Sequence, residues 1–96
     1  LAYALEKGND FWEINFNLGL AYYGDGDLAR AIKQFERALE LNPRDDMAYF
    51  YRGNLRVRSA DLARAAADYS KPLEINPDNQ QARRGLLRVR SRVRSQ

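Results

Sequence analysis

Six arginines near the end of the chain are the residues best equipped for chemistry. The segment 80–96 contains these six arginines and no acidic residue, a net charge of +6, whereas residues 1–79 carry −3. A guanidinium group binds a carboxylate or a phosphate through paired hydrogen bonds. The segment therefore predicts either an anion-binding surface or, more simply, the solvated face of a helix. The candidates for binding a polyanion are Arg83, Arg90, Arg92 and Arg94.

Catalytic chemistry has few candidates in this sequence. The chain contains no His and no Cys, which removes the usual general base near neutral pH and all thiolate chemistry. The loop Gly24-Asp25-Gly26-Asp27 lacks the further acidic ligands of a calcium loop and the Lys of a phosphate-binding loop. It is explained as a turn followed by a helix cap. We expect no enzyme, no cofactor, no metal site and no small-molecule substrate.

The size and hydropathy of the chain indicate one small globular domain. Its 96 residues lie near the lower end of what supports a self-sufficient core. No apolar run approaches the roughly 20 residues that span a bilayer, and residues 1–8 do not have the layout of a signal peptide. We therefore expect a soluble protein, with the cytoplasm as its compartment.

The sequence repeats at a constant offset of 34 residues, which takes position 27 to position 61. The run Asp-Leu-Ala-Arg-Ala at 27–31 recurs unchanged at 61–65, and Leu-Glu-Leu-Asn-Pro at 39–43 recurs with one change at 73–77. Units of this length predict a repeat architecture, in which neighbouring units bury their apolar faces against one another.

Each unit is predicted to form two helices. In the first unit, apolar residues recur at helical spacing over 12–23 and again over about 28–41. Asp10 opens a capping box for the first helix, Asp27 caps the second, and Pro43 blocks its extension. The unit is therefore a helix–turn–helix hairpin.

Gly19 and Gly53 occupy equivalent positions inside the first helix of each unit. Because glycine in a helix interior costs about 1 kcal/mol relative to alanine, we expect the partner helix to approach too closely for a Cβ there. Ala31 and Ala65 should face the two glycines, and Phe35 and its counterpart should fill the space between adjacent helices.

These residues give the first unit, 12–45, the pattern of a known family. It resembles the tetratricopeptide repeat, and the residues that match are Leu18, Gly19, Tyr22, Ala31, Phe35, Ala38 and Pro43, with Asn15 where tryptophan is usual. The second unit, 46–79, keeps Tyr49, Gly53, Ala65, Tyr69 and Pro77. The resemblance implies an all-α solenoid of antiparallel helix pairs in a right-handed superhelix. We expect two repeats at 12–45 and 46–79, an Arg-rich capping helix at 80–96, and the end of a preceding repeat helix at 1–8.

The second unit departs from the pattern at three positions. Arg52 and Arg56 replace an apolar and an aromatic residue at positions that are normally packed. We expect both to extend outward or to pair with Asp61 or Asp68. Pro72 lies inside the second helix, where the loss of a hydrogen bond predicts a kink near 68–72.

The last helix shows an amphipathic pattern. Its apolar stripe consists of Ala82, Leu86, Val89 and Val93, and the rest of the segment is polar. This pattern is typical of a helix that covers the last repeat and faces water on its other side. Beyond about Arg90 the period-two alternation leaves a strand or a disordered tail as alternatives.

In this family the first helix of each pair lines a groove, so the resemblance implies a groove for an extended peptide or a partner helix. The implied groove residues are Glu13, Phe16, Leu20, Tyr23, Met47, Phe50, Asn54, Val57, Gln81, Arg84 and Arg88. Phe50 and its neighbours would contact an apolar side chain, Asn54 the partner's backbone, and Arg84 with Arg88 a carboxylate. The alternative is that Phe16 and Phe50 pack on a neighbouring helix or on a second copy of the chain.

Some members of the family clamp the acidic C-terminal tails of heat-shock chaperones. At the positions where that clamp needs Lys, Asn and further cations, this chain has Phe16, Leu20, Tyr51, Gln81 and Gly85. The sequence therefore predicts that this particular clamp is absent.

Three functional hypotheses follow. The first is a protein-interaction scaffold that binds a peptide with apolar and acidic residues. The second is a self-assembly element, in which repeats stack or dimerise. The third is binding of nucleic acid or an anionic membrane through the terminal arginines, which the lack of aromatic residues near them disfavours for single strands.

Overall fold

The computed structural model describes residues 11–95, which form five α-helices and no strand. The helices are α1 (Trp12–Asp25), α2 (Leu28–Leu41), α3 (Asp46–Arg58), α4 (Leu62–Ile75) and α5 (Gln80–Ser95). Short loops join them and each packs on the next, so successive helices form antiparallel hairpins. The expected all-α fold is confirmed over these residues. The helix end expected at residues 1–8 lies outside them.

Side-chain caps start the helices at the places that the repeat requires. Asp27 Oδ1 accepts a hydrogen bond from the backbone N–H of Arg30 at 3.2 Å, and Asp61 Oδ1, at the equivalent position of the second unit, accepts one from Arg64 at 3.4 Å. Asp45 caps α3 in the same way. Each cap of this kind contributes about 1 kcal/mol by satisfying a free backbone donor.

The start of α1 differs from the expected capping box. Phe11 is the N-cap residue and makes no side-chain cap hydrogen bond, while Asp10 lies outside the described residues. The other end agrees with the sequence, because Gly26 takes a left-handed conformation (φ 78°) and donates to the carbonyls of Tyr22 and Tyr23.

The two hairpins share an aromatic-on-glycine contact. A Cβ on Gly19 would lie 2.7 Å from a ring carbon of Phe35, and one on Gly53 would lie 2.8 Å from the ring of Tyr69. The space over each glycine is therefore filled by a ring, where the sequence predicted a close alanine. A Cβ on Gly85 of α5 would also lie 2.7 Å from the Tyr69 ring.

An ionic cluster occupies the middle of the second hairpin. Arg52 holds Asp68 with two hydrogen bonds, Nε to Oδ2 at 3.0 Å and Nη2 to Oδ1 at 2.8 Å. Arg56 donates to Oδ2 of the same carboxylate at 2.9 Å and reaches Glu36 on α2 at 3.7 Å. The Asp68 side chain is only 3% exposed, so this cluster ties α3 and α4 together in the interior, and the contact with Glu36, which is 46% exposed, extends it to α2. The expected pairing is confirmed for Asp68, while Asp61 is occupied as the cap of α4.

Pro72 is buried one turn after Asp68, and α4 continues through it to Ile75. Its carbonyl accepts the N–H of Asn76 at 2.7 Å, which closes the helix normally. The helix is therefore not broken at the proline, and the bend expected there stays a prediction.

The stripe expected on α5 is buried in part. Ala82, Leu86 and Val89 are buried against α4, whereas Val93 is 50% exposed. Val93 borders an open groove with Leu62 and Ala66. The helix continues past Arg90 to Ser95, so the strand and disordered-tail alternatives are wrong for the described residues.

None of the described helices is long and apolar enough to cross a membrane.

Candidate functional site

A slot of about 400 Å³ lies between α3 and α5. The two helices run in the same direction because each is antiparallel to α4, and both lie against the ring of Tyr69. The volume falls within the roughly 300–1,000 Å³ of typical ligand pockets. The lining residues are Tyr23, Phe50, Asn54, Val57, Arg58, Tyr69, Gln81, Arg84, Gly85, Arg88, Val89 and Arg92.

The α3 wall is apolar with one amide. Phe50 and Val57 are half-buried, and Phe50 packs on Tyr51 and Tyr69 with ring centroids 5.6 and 5.9 Å apart. Asn54 lies between Phe50 and Val57 along the helix. This wall offers contact to an apolar side chain and a hydrogen bond to a polar group.

The floor of the slot is a hydrogen-bonded network. The hydroxyl of Tyr69 donates to Asn54 Oδ1, and Asn54 Nδ2 donates to the hydroxyl of Tyr23 at 3.4 Å. Burial raises the pKa of Tyr69 to about 12, so its hydroxyl stays a donor at neutral pH. The network orients the Asn54 amide and leaves one of its two N–H groups without a partner among the described residues.

The α5 wall is cationic. Arg84, Arg88 and Arg92 follow one another at every fourth residue and all line the slot. Arg58, from the last turn of α3, adds a fourth cation and lies over the Tyr23 ring at 4.9 Å. None of the four forms an ion pair within residues 11–95, and no acidic residue lines the slot. The site therefore has a net positive charge without a counter-ion from the protein.

Seven of the residues expected in a groove come together in this slot: Tyr23, Phe50, Asn54, Val57, Gln81, Arg84 and Arg88. The other four lie elsewhere. Phe16 packs edge-on against Phe35 and Tyr51 with centroids 5.7 and 6.0 Å apart, and Leu20 packs on the same cluster. Glu13 is exposed in the first turn of α1. Met47 is half-buried in the first turn of α3.

The slot also contains residues that the repeat register did not assign to it. Tyr69 belongs to the second helix of its pair, and it reaches the slot because Gly53 and Gly85 leave room for its ring. Arg58 has a signal that was available, since the repeat offset takes it to Arg92 and it lies one turn after Asn54. Extending the four-residue spacing of Phe50 and Asn54 by one turn would have found it.

The four arginines considered for polyanion binding do not form one patch. Arg92 lines the slot, whereas Arg90 and Arg94 line the open groove with Val93. Arg83 donates to the carbonyl of Pro77 near the start of α5. Their charges therefore point into at least two separate surfaces.

A metal site has no donor set in the described part of the chain. Within residues 11–95 there is no group of three or more His, Cys, Asp or Glu that could hold an ion.

The sequence model of one protein family, the tetratricopeptide repeat, matches residues 12–45 of this chain. Among solved structures, the first such domain of Spaghetti (RPAP3), bound to the HSP90 peptide SRMEEVD, is 27% identical with a TM-score of 0.84; the match covers 88% of this chain and 67% of that one. The first domain of human RPAP3 is 29% identical with a TM-score of 0.80, over 85% of this chain and 65% of that one.

The second domain of human RPAP3, in complex with the HSP70 peptide SGPTIEEVD, is 25% identical with a TM-score of 0.78, over 82% of this chain and 66% of that one. This chain thus spans about two thirds of the length of these domains. No curated protein matches it.

Residues 12–45 therefore match the tetratricopeptide repeat, and the helical solenoid is similar in fold to solved tetratricopeptide repeat domains.

Proposed function

We propose that this chain is a protein-interaction scaffold that binds a peptide with apolar and acidic residues in the slot between α3 and α5. The observation that carries the proposal is the pairing of two unlike walls, one with Phe50 and Val57 and one with unpaired arginines. An apolar anchor and a carboxylate on one peptide would satisfy both walls at once. Such a role needs no catalytic group.

The solved relatives support a peptide as the partner, since two of them hold peptides whose last four residues are Glu-Glu-Val-Asp. Their mode of binding does not transfer directly. Phe16 and Tyr51, at two of the clamp positions, form part of the aromatic cluster around Phe35, and Gly85 is covered by Tyr69. The cations of this chain lie instead along α5 and at Arg58. We therefore propose a partner with acidic and apolar residues that is distinct from a chaperone tail.

A peptide array at moderate salt tests the proposal. The native chain is compared with Phe50→Ala and Arg84→Glu, each first shown to be folded by circular dichroism, and with Arg90→Glu as a control on the opposite side of α5. We expect peptides rich in apolar and acidic residues to bind the native chain and the control but neither slot variant. Peptides that bind all four proteins equally would contradict the slot, and a uniform loss with added salt would favour polyanion binding.

Self-association is a second candidate, favoured by an exposed apolar face on α1. Ile14 and Leu18 are 37% and 44% exposed. The equivalent residues of α3 and α5 are covered by the preceding helix, and Ala48 and Ala82, which match Ile14, are 0% exposed. A helix from a second copy, placed on α1 as α2 is placed on α3, would bury this face.

Analytical ultracentrifugation over a range of concentrations tests self-association. We expect the mass of the native chain to rise with concentration and that of Leu18→Glu to stay at the monomer value, with Leu87→Glu, at an exposed residue of α5, as the control. A native chain that is monomeric at every concentration would contradict this candidate.

A further inference from the structure

The two walls of the slot carry unlike residues at matched heights. Under the repeat offset, Phe50 corresponds to Arg84, Asn54 to Arg88 and Arg58 to Arg92, and all six line the slot. Because α3 and α5 run in the same direction, the members of each pair lie opposite one another. The slot is therefore a short channel. A row of cations runs along its α5 side, whereas its α3 side has one cation, Arg58, at the end.

The row of cations has a fixed spacing. Arg84, Arg88 and Arg92 are four residues apart on α5, and at about 1.5 Å per residue their Cα atoms are separated by about 6 Å along the helix axis. An extended peptide rises about 3.3 Å per residue, so side chains on one of its faces recur every second residue at about 6.6 Å. The two spacings differ by less than about 1 Å per step, which flexible arginine side chains accommodate.

An extended peptide also has two faces. Side chains at alternate positions point in opposite directions, so a peptide that places one face against the arginines places the other against α3. That wall presents Phe50 and Val57. Asn54 lies between them, and its free amide N–H can donate a hydrogen bond to a backbone carbonyl of the peptide. Each face of the peptide thus meets a wall of its own chemistry.

We propose, resting on the function proposed above, that the partner lies extended along the slot and carries acidic residues at alternate positions with apolar residues between them. The acidic side chains pair with Arg84, Arg88 and Arg92, and the apolar side chains contact Phe50 and Val57. Arg58 and Arg92 lie opposite one another at one end of the slot, so this end has two cations. The most anionic end of the peptide lies there.

Two peptides of identical composition separate this register from simple charge attraction. Fluorescence anisotropy compares labelled Glu-Val-Glu-Leu-Glu with labelled Glu-Glu-Glu-Val-Leu, both capped at their ends, as ligands of the 96-residue chain. We expect the alternating peptide to bind about tenfold more tightly, because the blocked peptide cannot align all its carboxylates with the arginines. Arg88→Gln should remove this preference, and Arg90→Gln, on another face of the same exposed helix, should keep it.

The outcomes separate this inference from the proposed function. Equal binding of both peptides that still requires Phe50 and Arg84 would overturn the alternating register and leave the slot as the binding site. A preference that survives Arg88→Gln would also overturn the register, because it would not arise from the α5 row. Failure of both peptides to bind would overturn the register together with the apolar and acidic partner.

Discussion

The two hairpins of this chain share one packing contact and differ in the residues around it. Both place an aromatic ring over a glycine, Phe35 on Gly19 and Tyr69 on Gly53. Around that shared contact the first hairpin has Leu18, Tyr22 and Gln34, where the second has Arg52, Arg56 and Asp68. The ring-on-glycine contact therefore defines the hairpin, while the positions around it tolerate either apolar or ionic packing.

The second hairpin also differs in what its polar groups do for the site. The hydroxyl of Tyr69, which Phe35 lacks, holds Asn54 at the slot. The same hairpin faces helices on both sides, and Arg56 reaches Glu36 on α2. The polar substitutions therefore lie in the hairpin that bears the candidate site.

The largest effect is expected from breaking the ionic cluster. Asp68→Ala leaves the largely buried Arg52 without its counter-ion and Arg56 with only Glu36 at 3.7 Å, which costs about 3–5 kcal/mol of the free energy of unfolding. Urea denaturation followed by circular dichroism measures this loss, and Gln34→Ala, at the equivalent position of the first hairpin, is the control. A loss below about 1 kcal/mol, the range of an exposed ion pair, would contradict a buried cluster.

Replacing the ionic cluster of the second hairpin with the corresponding residues of the first hairpin tests whether the two hairpins are equivalent. The triple variant Arg52→Leu, Arg56→Tyr and Asp68→Gln replaces the whole cluster, so no buried charge is left unpaired. We expect it to fold with a stability close to or above that of the native chain, since apolar packing often replaces a buried ion pair without loss. An unfolded triple variant would contradict the equivalence of the two hairpins, and this test holds even if Asp68→Ala does not fold.

The shared contact is tested by adding a methyl group under the ring. Gly19→Ala places a Cβ 2.7 Å from Phe35, and the resulting displacement of a buried ring should cost about 1–3 kcal/mol. Gly24→Ala, in the same helix with nothing within 4 Å, should instead stabilise by up to about 1 kcal/mol through helix propensity. Thermal unfolding of both variants decides, and equal effects would contradict the role of the close contact.

A smaller effect is expected from making the rings of the two hairpins identical. Tyr69→Phe keeps the ring over Gly53 and removes the hydrogen bond to Asn54, which should cost about 1 kcal/mol. The same variant should weaken peptide binding, because Asn54 loses the partner that orients its amide. Urea denaturation and fluorescence anisotropy measure the two effects, and unchanged binding would show that the network does not position Asn54.

The helix pairs of this chain could be predicted from its sequence, whereas some of the side-chain contacts between helices could not. The repeat offset predicted the hairpins of 12–45 and 46–79. The family resemblance implied the groove positions of Phe50, Asn54 and Arg88, and all three line the slot. The sequence left open whether Phe16 lines the groove or packs on a neighbouring helix. The structure shows that it packs on Phe35 and Tyr51, a choice that depends on how the helices meet. Tyr69 was missed for the same reason.

The smallest effect concerns the cap of α3. Burial raises the pKa of the Asp45 carboxyl, whose Oδ2 has no hydrogen-bond partner within residues 11–95, above its usual value. A raised folded-state pKa means that the folded chain binds the proton more tightly than the unfolded chain. This group therefore destabilises the fold as pH rises through that pKa, and the penalty disappears as pH falls below the unfolded value.

Asp45→Asn tests this sign. The amide keeps the cap without the buried charge, so we expect the variant to match or exceed the native melting temperature at pH 7 and to lose that advantage in acid. Asp45→Ala is the control that removes the cap itself, at a cost of about 1 kcal/mol. An advantage of Asp45→Asn that grows as pH falls would contradict the raised pKa.

The central claim is that a peptide occupies the slot between α3 and α5. Amide chemical-shift changes in a ¹⁵N-labelled chain, titrated with the alternating peptide Glu-Val-Glu-Leu-Glu, test it most directly. We predict that the largest changes fall on Phe50, Asn54, Arg84 and Arg88, with the opposite side of α5 at Arg90 little affected. Changes centred on Leu18 of α1, or on Arg90 and Arg94, would contradict the slot as the binding site.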